Sequence, residues 1–123
     1  MSKGHKRSLT SIFTLLEEKG VDVVQLKSKI HQLIVKTIIS GLSVLRFQYR
    51  SCQLENYRSD MCFEILGFDV ILNDDLEPFI LEINYTPSFS TDTPLDENIK
   101  KNLIKDTLVL MEVTKDFKER TVN

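Results

Sequence analysis

Two apolar runs separated by a short polar segment constrain the fold of this chain more than any other feature. The first run covers residues 61–72 and the second covers residues 79–85. The segment between them reads Asn-Asp-Asp-Leu-Glu-Pro, which is rich in residues that favour turns. Apolar runs of this length on either side of such a turn are typical of two paired strands. The sequence therefore predicts an antiparallel β-hairpin centred on residues 73–78.

The centre of the turn predicts which residues of the hairpin face each other. Counting outward from it, the expected pairs are Leu72 with Phe79, Val70 with Leu81, Asp69 with Glu82, and Gly67 with Asn84. Because side chains alternate between the two faces of a strand, Asp69, Glu82 and Asn84 are expected on one face. The other face should be almost wholly apolar, with Leu66, Phe68, Val70, Phe79, Leu81 and Ile83.

Helical patterns flank this hairpin on both sides. A short helix is expected over residues 8–19, with Gly20 as its stop, and a longer one from Asp22 to Gly41. Apolar residues recur with a helical period in the longer helix, at Leu26, Ile30, Leu33, Ile34, Ile38 and Ile39. Residues 50–60 have no clear period and are expected to form a loop.

A last helix is predicted to start near Pro94 and Asp96 and to end at about Val113. Its buried side is expected to consist of Ile99, Leu103, Leu108, Leu110 and Met111. Together these patterns predict an α+β fold in which a β-hairpin or small sheet is covered by amphipathic helices. Residues 1–7 and 114–123 are expected to be flexible ends of one domain, residues 1–123.

Charge is segregated along the chain although the net charge is only −2. Residues 1–50 carry a basic excess, residues 51–98 a strong acidic excess, and residues 99–123 a slight basic excess. Three solvated surfaces would produce this pattern, and so would a cation-binding centre beside a surface for an acidic partner. The balance gives no reason to expect a nucleic-acid partner.

Location is constrained by what the sequence lacks. No stretch approaches the roughly 18 consecutive apolar residues of a membrane span, and the polar start does not resemble a signal peptide. Cys52 and Cys62 do not form a disulfide framework. A cytoplasmic protein without a membrane span is therefore expected, and Cys62 is expected to be a buried, inert thiol.

The predicted juxtaposition of Asp69 and Glu82 is unusual, because like charges across a β-ladder repel. A raised pKa, a basic neighbour or a metal ion would relieve the repulsion. With Asn84 beside them, the three side chains offer oxygen ligands that suit Mg²⁺, which takes its other ligands from water and phosphates. The alternative is an exposed rim of the sheet where both carboxylates are simply solvated.

Several separated blocks of the sequence resemble the tubulin–tyrosine ligase-like family, most closely its tubulin polyglutamylase branch. The blocks are Cys-Phe-Glu-Ile-Leu-Gly-Phe-Asp at residues 62–69, Pro-Phe-Ile-Leu-Glu-Ile-Asn at residues 78–84 and Pro-Ser-Phe-Ser-Thr-Asp at residues 87–92. Shorter similarities occur at residues 6–7, 34–40, 94–96 and 106–108. The blocks follow the order of the family, so the similarity covers about residues 4–113.

The resemblance implies the ATP-grasp fold, with this chain as its C-terminal portion, a single partial domain. It implies that Asp69, Glu82 and Asn84 bind Mg²⁺, with Glu82 as a catalytic residue, and that Lys6 and Tyr85 contact substrate. The implied cofactors are ATP and Mg²⁺, and no further cofactor-binding residue is identified. The implied partners are the acidic tails of tubulin, free L-glutamate and the upstream half of the ATP-grasp domain.

The implied reaction is ATP-dependent ligation of glutamate to glutamate side chains of tubulin tails. A tail carboxylate is phosphorylated to an acyl phosphate, and the amino group of free glutamate then displaces phosphate. The implied location is the cytoplasm with the microtubule cytoskeleton, and more narrowly the cilium or basal body.

The sequence departs from the family pattern in three respects. Tyr85 stands where polyglutamylases often have His after the ligand Asn, so the choice of amino acid is open. Phe79 stands where relatives have Trp. The lysines that bind ATP phosphates and most of the adenine pocket lie upstream of the matching blocks and have no counterpart in this chain.

Two alternatives to an enzyme remain. The chain could be a non-catalytic fragment or pseudoenzyme that binds acidic tubulin tails through the basic residues Lys3, Lys6, Arg7, Lys27, Lys29, Lys36, Arg46 and Arg50. It could also be an α/β fragment that needs its missing half to fold. Intact Asp69, Glu82 and Asn84 favour a catalytic parent protein, whereas the absent nucleotide-binding residues argue against activity in this chain alone.

Overall fold

The computed structural model describes residues 6–52 and 63–111. In these ranges the element order is α1 (Leu9–Glu18), α2 (Val23–Ser51), β1 (Gly67–Leu72), β2 (Pro78–Asn84) and α3 (Pro94–Leu110). The chain divides into two compact units, Met1–Pro87 and Ser88–Asn123. Helices beside an antiparallel pair of strands agree with the predicted α+β class. The predicted flexible ends fall largely outside the described residues, as do residues 53–62 with Cys62.

The first two helices begin at the residues that the sequence indicates, and α1 also ends where it is predicted to. The Ser8 side chain accepts a hydrogen bond from the backbone N–H of Ser11 at 3.1 Å, which caps the start of α1. Gly20 follows the end of α1 with a φ of +84°, a left-handed conformation that glycine adopts without strain. Asp22 then caps α2 by accepting from the N–H of Gln25 at 2.9 Å. These predictions are confirmed.

The end of α2 differs from the prediction, which placed it at Gly41. The helix continues through Gly41 to Ser51, with Cys52 as its C-cap. A glycine inside a helix costs about 1 kcal/mol, which is too little to end a helix of 29 residues. Helix therefore occupies the start of the predicted loop at residues 50–60, and the rest of that loop lies outside the described residues.

Helix α2 is 29 residues long, and one window of it has a mean hydropathy of 1.3. By length and composition it is therefore long and apolar enough to cross a membrane. The core helix of a soluble protein meets the same criterion, so the expected absence of a membrane span stays a prediction.

The most buried side chains of the Met1–Pro87 unit lie at the start of α2. Val23 is 8% exposed and Leu26 is 3% exposed, and no other described side chain is as buried. Helix α1 packs beside this turn of α2, where Lys27 Nζ lies 4.7 Å from the centre of the Phe13 ring. Strand β2 also contacts α2. The core therefore sits where the helices and the hairpin meet.

The two strands pair antiparallel, as predicted, but their register changes within the hairpin. Gly67 pairs with Asn84, Phe68 with Ile83, and Asp69 with Glu82. The ladder then shifts by one residue, so that Val70 pairs with Ile80, Ile71 with Phe79, and Leu72 with Pro78. Leu81 is left without a partner, which makes it the extra residue of a β-bulge. The predicted pairs of Asp69 and Gly67 are confirmed, whereas those of Leu72 and Val70 are wrong.

The turn explains why the register near it differs from the prediction. The Asn73 side-chain oxygen accepts hydrogen bonds from the backbone N–H groups of Asp75 and Glu77, at 3.1 and 2.8 Å. The Asn73 N–H donates to the carbonyl of Glu77 at 3.1 Å, and Leu76 adopts a left-handed φ of 60°. These bonds close the loop after five residues, so Pro78 belongs to the strand and not to the turn.

In the Ser88–Asn123 unit, α3 begins where the sequence predicts. Pro94 occupies its first turn, and the Thr93 side chain accepts a hydrogen bond from the N–H of Asp96 at 3.1 Å. The predicted burial of its apolar side is wrong. Ile99, Leu103, Leu108 and Leu110 are all exposed, because the described part of this unit holds no second helix or strand to cover them.

Candidate metal centre

The hairpin brings Asp69, Glu82 and Asn84 to one face of the sheet. Asp69 is directly opposite Glu82, and Gly67 is directly opposite Asn84. Paired residues share a face, and Gly67 and Asp69 are two positions apart on β1. Opposite Cβ atoms in such a ladder lie about 4.5–5.5 Å apart, and diagonal neighbours such as Asp69 and Asn84 about 7–8 Å apart. Three oxygen-bearing side chains therefore converge, as the sequence predicts.

Gly67 keeps the space beside Asn84 open. A Cβ atom at Gly67 would lie 3.3 Å from Cβ of Pro87 and 3.6 Å from Cβ of Asn84. Contacts of 3.3 Å are tighter than ordinary packing, so a side chain here would fill the gap between Pro87 and Asn84. Glycine at this position therefore avoids crowding beside Asn84.

The electrostatics of this face fit a small, hard cation. Asp69 and Glu82 are exposed, and within residues 6–52 and 63–111 no side chain forms an ion pair or hydrogen bond with either carboxylate. Two facing carboxylates and an amide oxygen are ligands that Mg²⁺ prefers. In the described residues no group of three or more His, Cys, Asp or Glu side chains is placed to hold a metal. A cation here would thus depend on Asn84 and on ligands from water or substrate.

A model of one protein family matches almost the entire chain. The model describes the tubulin-tyrosine ligase family and matches residues 1–121. The chain belongs to the tubulin-tyrosine ligase family. The resemblance drawn from residues 62–92 is thereby confirmed.

Three relatives in the tubulin-tyrosine ligase family are polyglutamylases by name. The chain is 54% identical to a "Probable beta-tubulin polyglutamylase" of Tetrahymena thermophila over 123 residues, which are 100% of this chain and 10% of that protein. It is 40% identical to human "Tubulin polyglutamylase TTLL6" over 119 residues, 97% of this chain and 13% of that protein. It is 43% identical to human "Tubulin polyglutamylase TTLL13" over 112 residues, 89% of this chain and 14% of that protein. The chain thus spans only about a tenth to a seventh of the length of these relatives.

The resemblance to the tubulin-tyrosine ligase family also predicts two substrate contacts, Lys6 and Tyr85. Tyr85 directly follows β2 and is 71% exposed, at the end of the strand that carries Glu82 and Asn84. Lys6 lies in the exposed segment that precedes α1. Tyr85 is therefore next to Asn84, one of the predicted metal ligands, whereas Lys6 lies in the segment before α1. Their roles in substrate binding stay predictions.

The bulge changes the surroundings of the carboxylates from those predicted. Because Phe79 pairs with Ile71, it lies on the face of Asp69 and not on the opposite one. Phe79 is 53% exposed and Ile71 is also exposed, so the carboxylate face is bordered by apolar side chains. The prediction assigned Phe79 to the opposite, apolar face, and this assignment is wrong.

Sequence reasoning also missed the contact that ties the hairpin to α2. Lys29 Nζ forms an ion pair and hydrogen bond with Glu77 Oε1 at the end of the turn. Lys29 and Leu26 border a cavity of about 280 Å³ together with Asp75 and Leu76 of the turn. No local pattern could have revealed a pair that is 48 positions apart in the sequence.

Proposed function

We propose that this chain carries the magnesium-binding part of an ATP-dependent ligase that adds glutamate to glutamate side chains of tubulin tails. The observation that carries the proposal is the pairing of Asp69 with Glu82, with Asn84 on the same open face. Support comes from the family of the chain and from relatives that are polyglutamylases by name. The ATP-grasp fold is part of the same proposal.

Asp69, Glu82 and Asn84 would hold the cation from one side. The two carboxylates supply negative charge, and Asn84 supplies a neutral oxygen, so the remaining positions stay open to water and phosphate oxygens. When bound, Mg²⁺ neutralises phosphate charge and supports phosphoryl transfer. Glu82 lies in a regular pair with Asp69, and its backbone is therefore held by the ladder at the centre of the group.

The proposed reaction has two balanced steps. A carboxylate oxygen of the tail attacks the γ-phosphorus of ATP, the bond to the β-phosphate oxygen breaks, and ADP leaves. The amino nitrogen of free glutamate then attacks the acyl carbon, phosphate leaves with the bonding electrons, and the nitrogen loses a proton. An isopeptide bond results, and one ATP is consumed for each glutamate added.

Substrate binding is assigned to residues outside the metal group. The positive charge of Lys6 would attract the acidic tail, and Tyr85 would present its hydroxyl beside Asn84 to the incoming amino acid. A protein with these substrates would act in the cytoplasm on microtubules, and more narrowly in cilia or basal bodies.

Binding of acidic tails without catalysis is the competing function. It depends on the basic residues of the first 50 positions, and two of these are already engaged within the chain. Lys27 lies over the Phe13 ring, and Lys29 is paired with Glu77. The Lys29–Glu77 pair neutralises one of these charges, whereas Lys27 keeps its charge over the ring.

The substitution Glu82→Gln tests the ligase in a protein where this chain replaces its matching 119 residues in human TTLL6. It removes one charge with little change of shape, so glutamate incorporation into tubulin-tail peptides should fall about 100-fold or more. Glu64→Gln is the matched control, because Glu64 is also exposed but lies outside the strands. Unchanged incorporation in Glu82→Gln contradicts the proposal. Tail binding without incorporation in the unsubstituted protein supports the non-catalytic alternative.

A further inference from the structure

The turn of the hairpin imposes a register that does not pair the two carboxylates. The hydrogen bonds of Asn73 to Asp75 and Glu77 close a five-residue loop and set Leu72 opposite Pro78. The pair of Val70 and Ile80 continues the same register. If it continued, Asp69 would face Leu81, and Glu82 would point to the other side of the sheet, since a slip of one residue reverses the faces.

The unpaired residue Leu81 changes the register at the carboxylates. Between the turn and Asp69 there are the three residues 70–72, whereas between the turn and Glu82 there are the four residues 78–81. Because of this difference the pairing shifts by one residue between Asp69 and Val70, and the shift places Glu82 opposite Asp69. The bulge therefore lies directly beside the proposed metal ligands and not elsewhere in the strand.

Exposure along the two strands shows the effect of the bulge on side-chain direction. From Phe68 to Leu72, β1 alternates regularly between half-buried and exposed side chains. In β2 the alternation breaks at the bulge, where Leu81 is 67% exposed and Glu82 is exposed as well. A bulge bends its strand, increases the local twist and redirects side chains. Leu81, Glu82 and Ile83 are all exposed, so the alternation is lost over the three residues beside the bulge.

We propose that Leu81 is a positioning residue for the metal centre. It acts through its place in the backbone, as the extra residue that aims the Glu82 carboxylate toward Asp69 and Asn84, and not through its side chain. This inference rests on the proposed function, because it assumes that the three side chains bind a divalent cation.

Two variants separate the backbone role from the side-chain role. Deletion of Leu81 makes the ladder regular and keeps Asp69 opposite Glu82, but it removes the bend. Leu81→Ala keeps the extra residue and removes most of its side chain. Mn²⁺ is the probe, because paramagnetic broadening of backbone amide NMR signals detects weak binding to the 123-residue chain. An equal concentration of diamagnetic Mg²⁺ is the control, since broadening from self-association occurs in both samples. The signals to follow are those of Asp69, Glu82 and Asn84.

We expect broadening in the unsubstituted chain and in Leu81→Ala at similar Mn²⁺ concentrations. The deletion should need about 10-fold more Mn²⁺ for the same broadening, the size of effect usual when support of a metal ligand is lost. Cross-strand nuclear Overhauser effects between residues 69 and 82 should persist in both variants, which shows that the hairpin is intact.

Other outcomes contradict either the positioning role of Leu81 or the metal centre itself. Equal broadening of the deletion variant and the unsubstituted chain at the same Mn²⁺ concentration overturns the positioning role. Loss of the hairpin in the deletion variant also overturns it, because the bulge would then be needed for the fold. Loss of Mn²⁺ broadening in Leu81→Ala would assign the effect to the Leu81 side chain, and this result also overturns the positioning role. Broadening that survives Glu82→Gln, or that never occurs in the unsubstituted chain, overturns the metal centre of the proposed function and the inference that rests on it.

Discussion

At the scale of single residues, Gly67 decides how much room the candidate metal centre has. Its backbone is an ordinary strand conformation, so glycine is not required there for a positive φ. The limit is steric, because an added Cβ would approach Pro87 to 3.3 Å and Asn84 to 3.6 Å. Alanine would need a shift of a few tenths of an ångström, and a branched side chain would need more.

Gly67→Val is therefore expected to destabilise the hairpin by about 1–3 kcal/mol, because overpacking displaces Pro87 and Asn84. The displacement should also weaken the broadening of the Asn84 signal by Mn²⁺. Gly67→Ala is the milder control and should keep both properties close to those of the unsubstituted chain. Hydrogen exchange of the β2 amides measures stability, and the Mn²⁺ titration measures the site. Equal behaviour of the two variants would show that the space beside Asn84 is not limiting.

At the scale of elements, the Lys29–Glu77 pair joins α2 to the hairpin turn. Its side chains are 37% and 48% exposed, so solvent screens the attraction. The contact nevertheless lies beside the buried Leu26 and spans 48 positions of sequence, and it sets where the turn rests on α2.

A double-mutant cycle with Lys29→Met and Glu77→Gln should give a coupling free energy of about 0.2–1 kcal/mol, typical of exposed pairs. The coupling should decrease in 1 M salt because ions screen the charges. Amide exchange of residues 78–84 provides the free energies. Strictly additive effects of the two substitutions would show that the pair does not hold the hairpin against α2.

At the scale of the whole molecule, the described residues leave much apolar surface uncovered. Phe47, Phe79, Leu81 and Leu110 are all more than half exposed, while only Val23 and Leu26 are buried in the described part of the chain. Exposed apolar surface of this extent favours association with other apolar surfaces. The family relatives are seven to ten times longer, so further segments of such proteins could cover it.

The 123-residue chain by itself should therefore self-associate, bind Mg²⁺-ATP weakly or not at all, and show no ligase activity. Magnesium sites of this kind are completed by nucleotide phosphates, and the phosphate-binding lysines implied by the family have no counterpart in this sequence. Sedimentation velocity, calorimetry with Mg²⁺-ATP and a glutamate-incorporation assay on tubulin test the three parts. Micromolar binding of ATP with turnover would show that the chain is a complete enzyme.

The sequence by itself determined the features that depend on neighbours a few positions away. Ser8, Asp22 and Thr93 cap helices through bonds to residues three positions on, and Gly20 supplies the left-handed turn after α1. The hairpin was also predictable, because turn composition and period-two alternation are local. The predicted pairing of Asp69 with Glu82 occurs because the extra residue Leu81 offsets a turn that is one residue shorter than predicted. The family could be recognised for a similar reason, since its blocks are contiguous.

The tertiary structure alone decided the features in which distant or competing contacts set the outcome. Gly41 is predicted to end α2, but the helix continues to Ser51. The side-chain bonds of Asn73 set the register at the turn, and the bulge at Leu81 reconciles that register with the carboxylate pair. Composition cannot reveal such a compromise, because it describes each strand separately. The conflict arises only when the two strands pair.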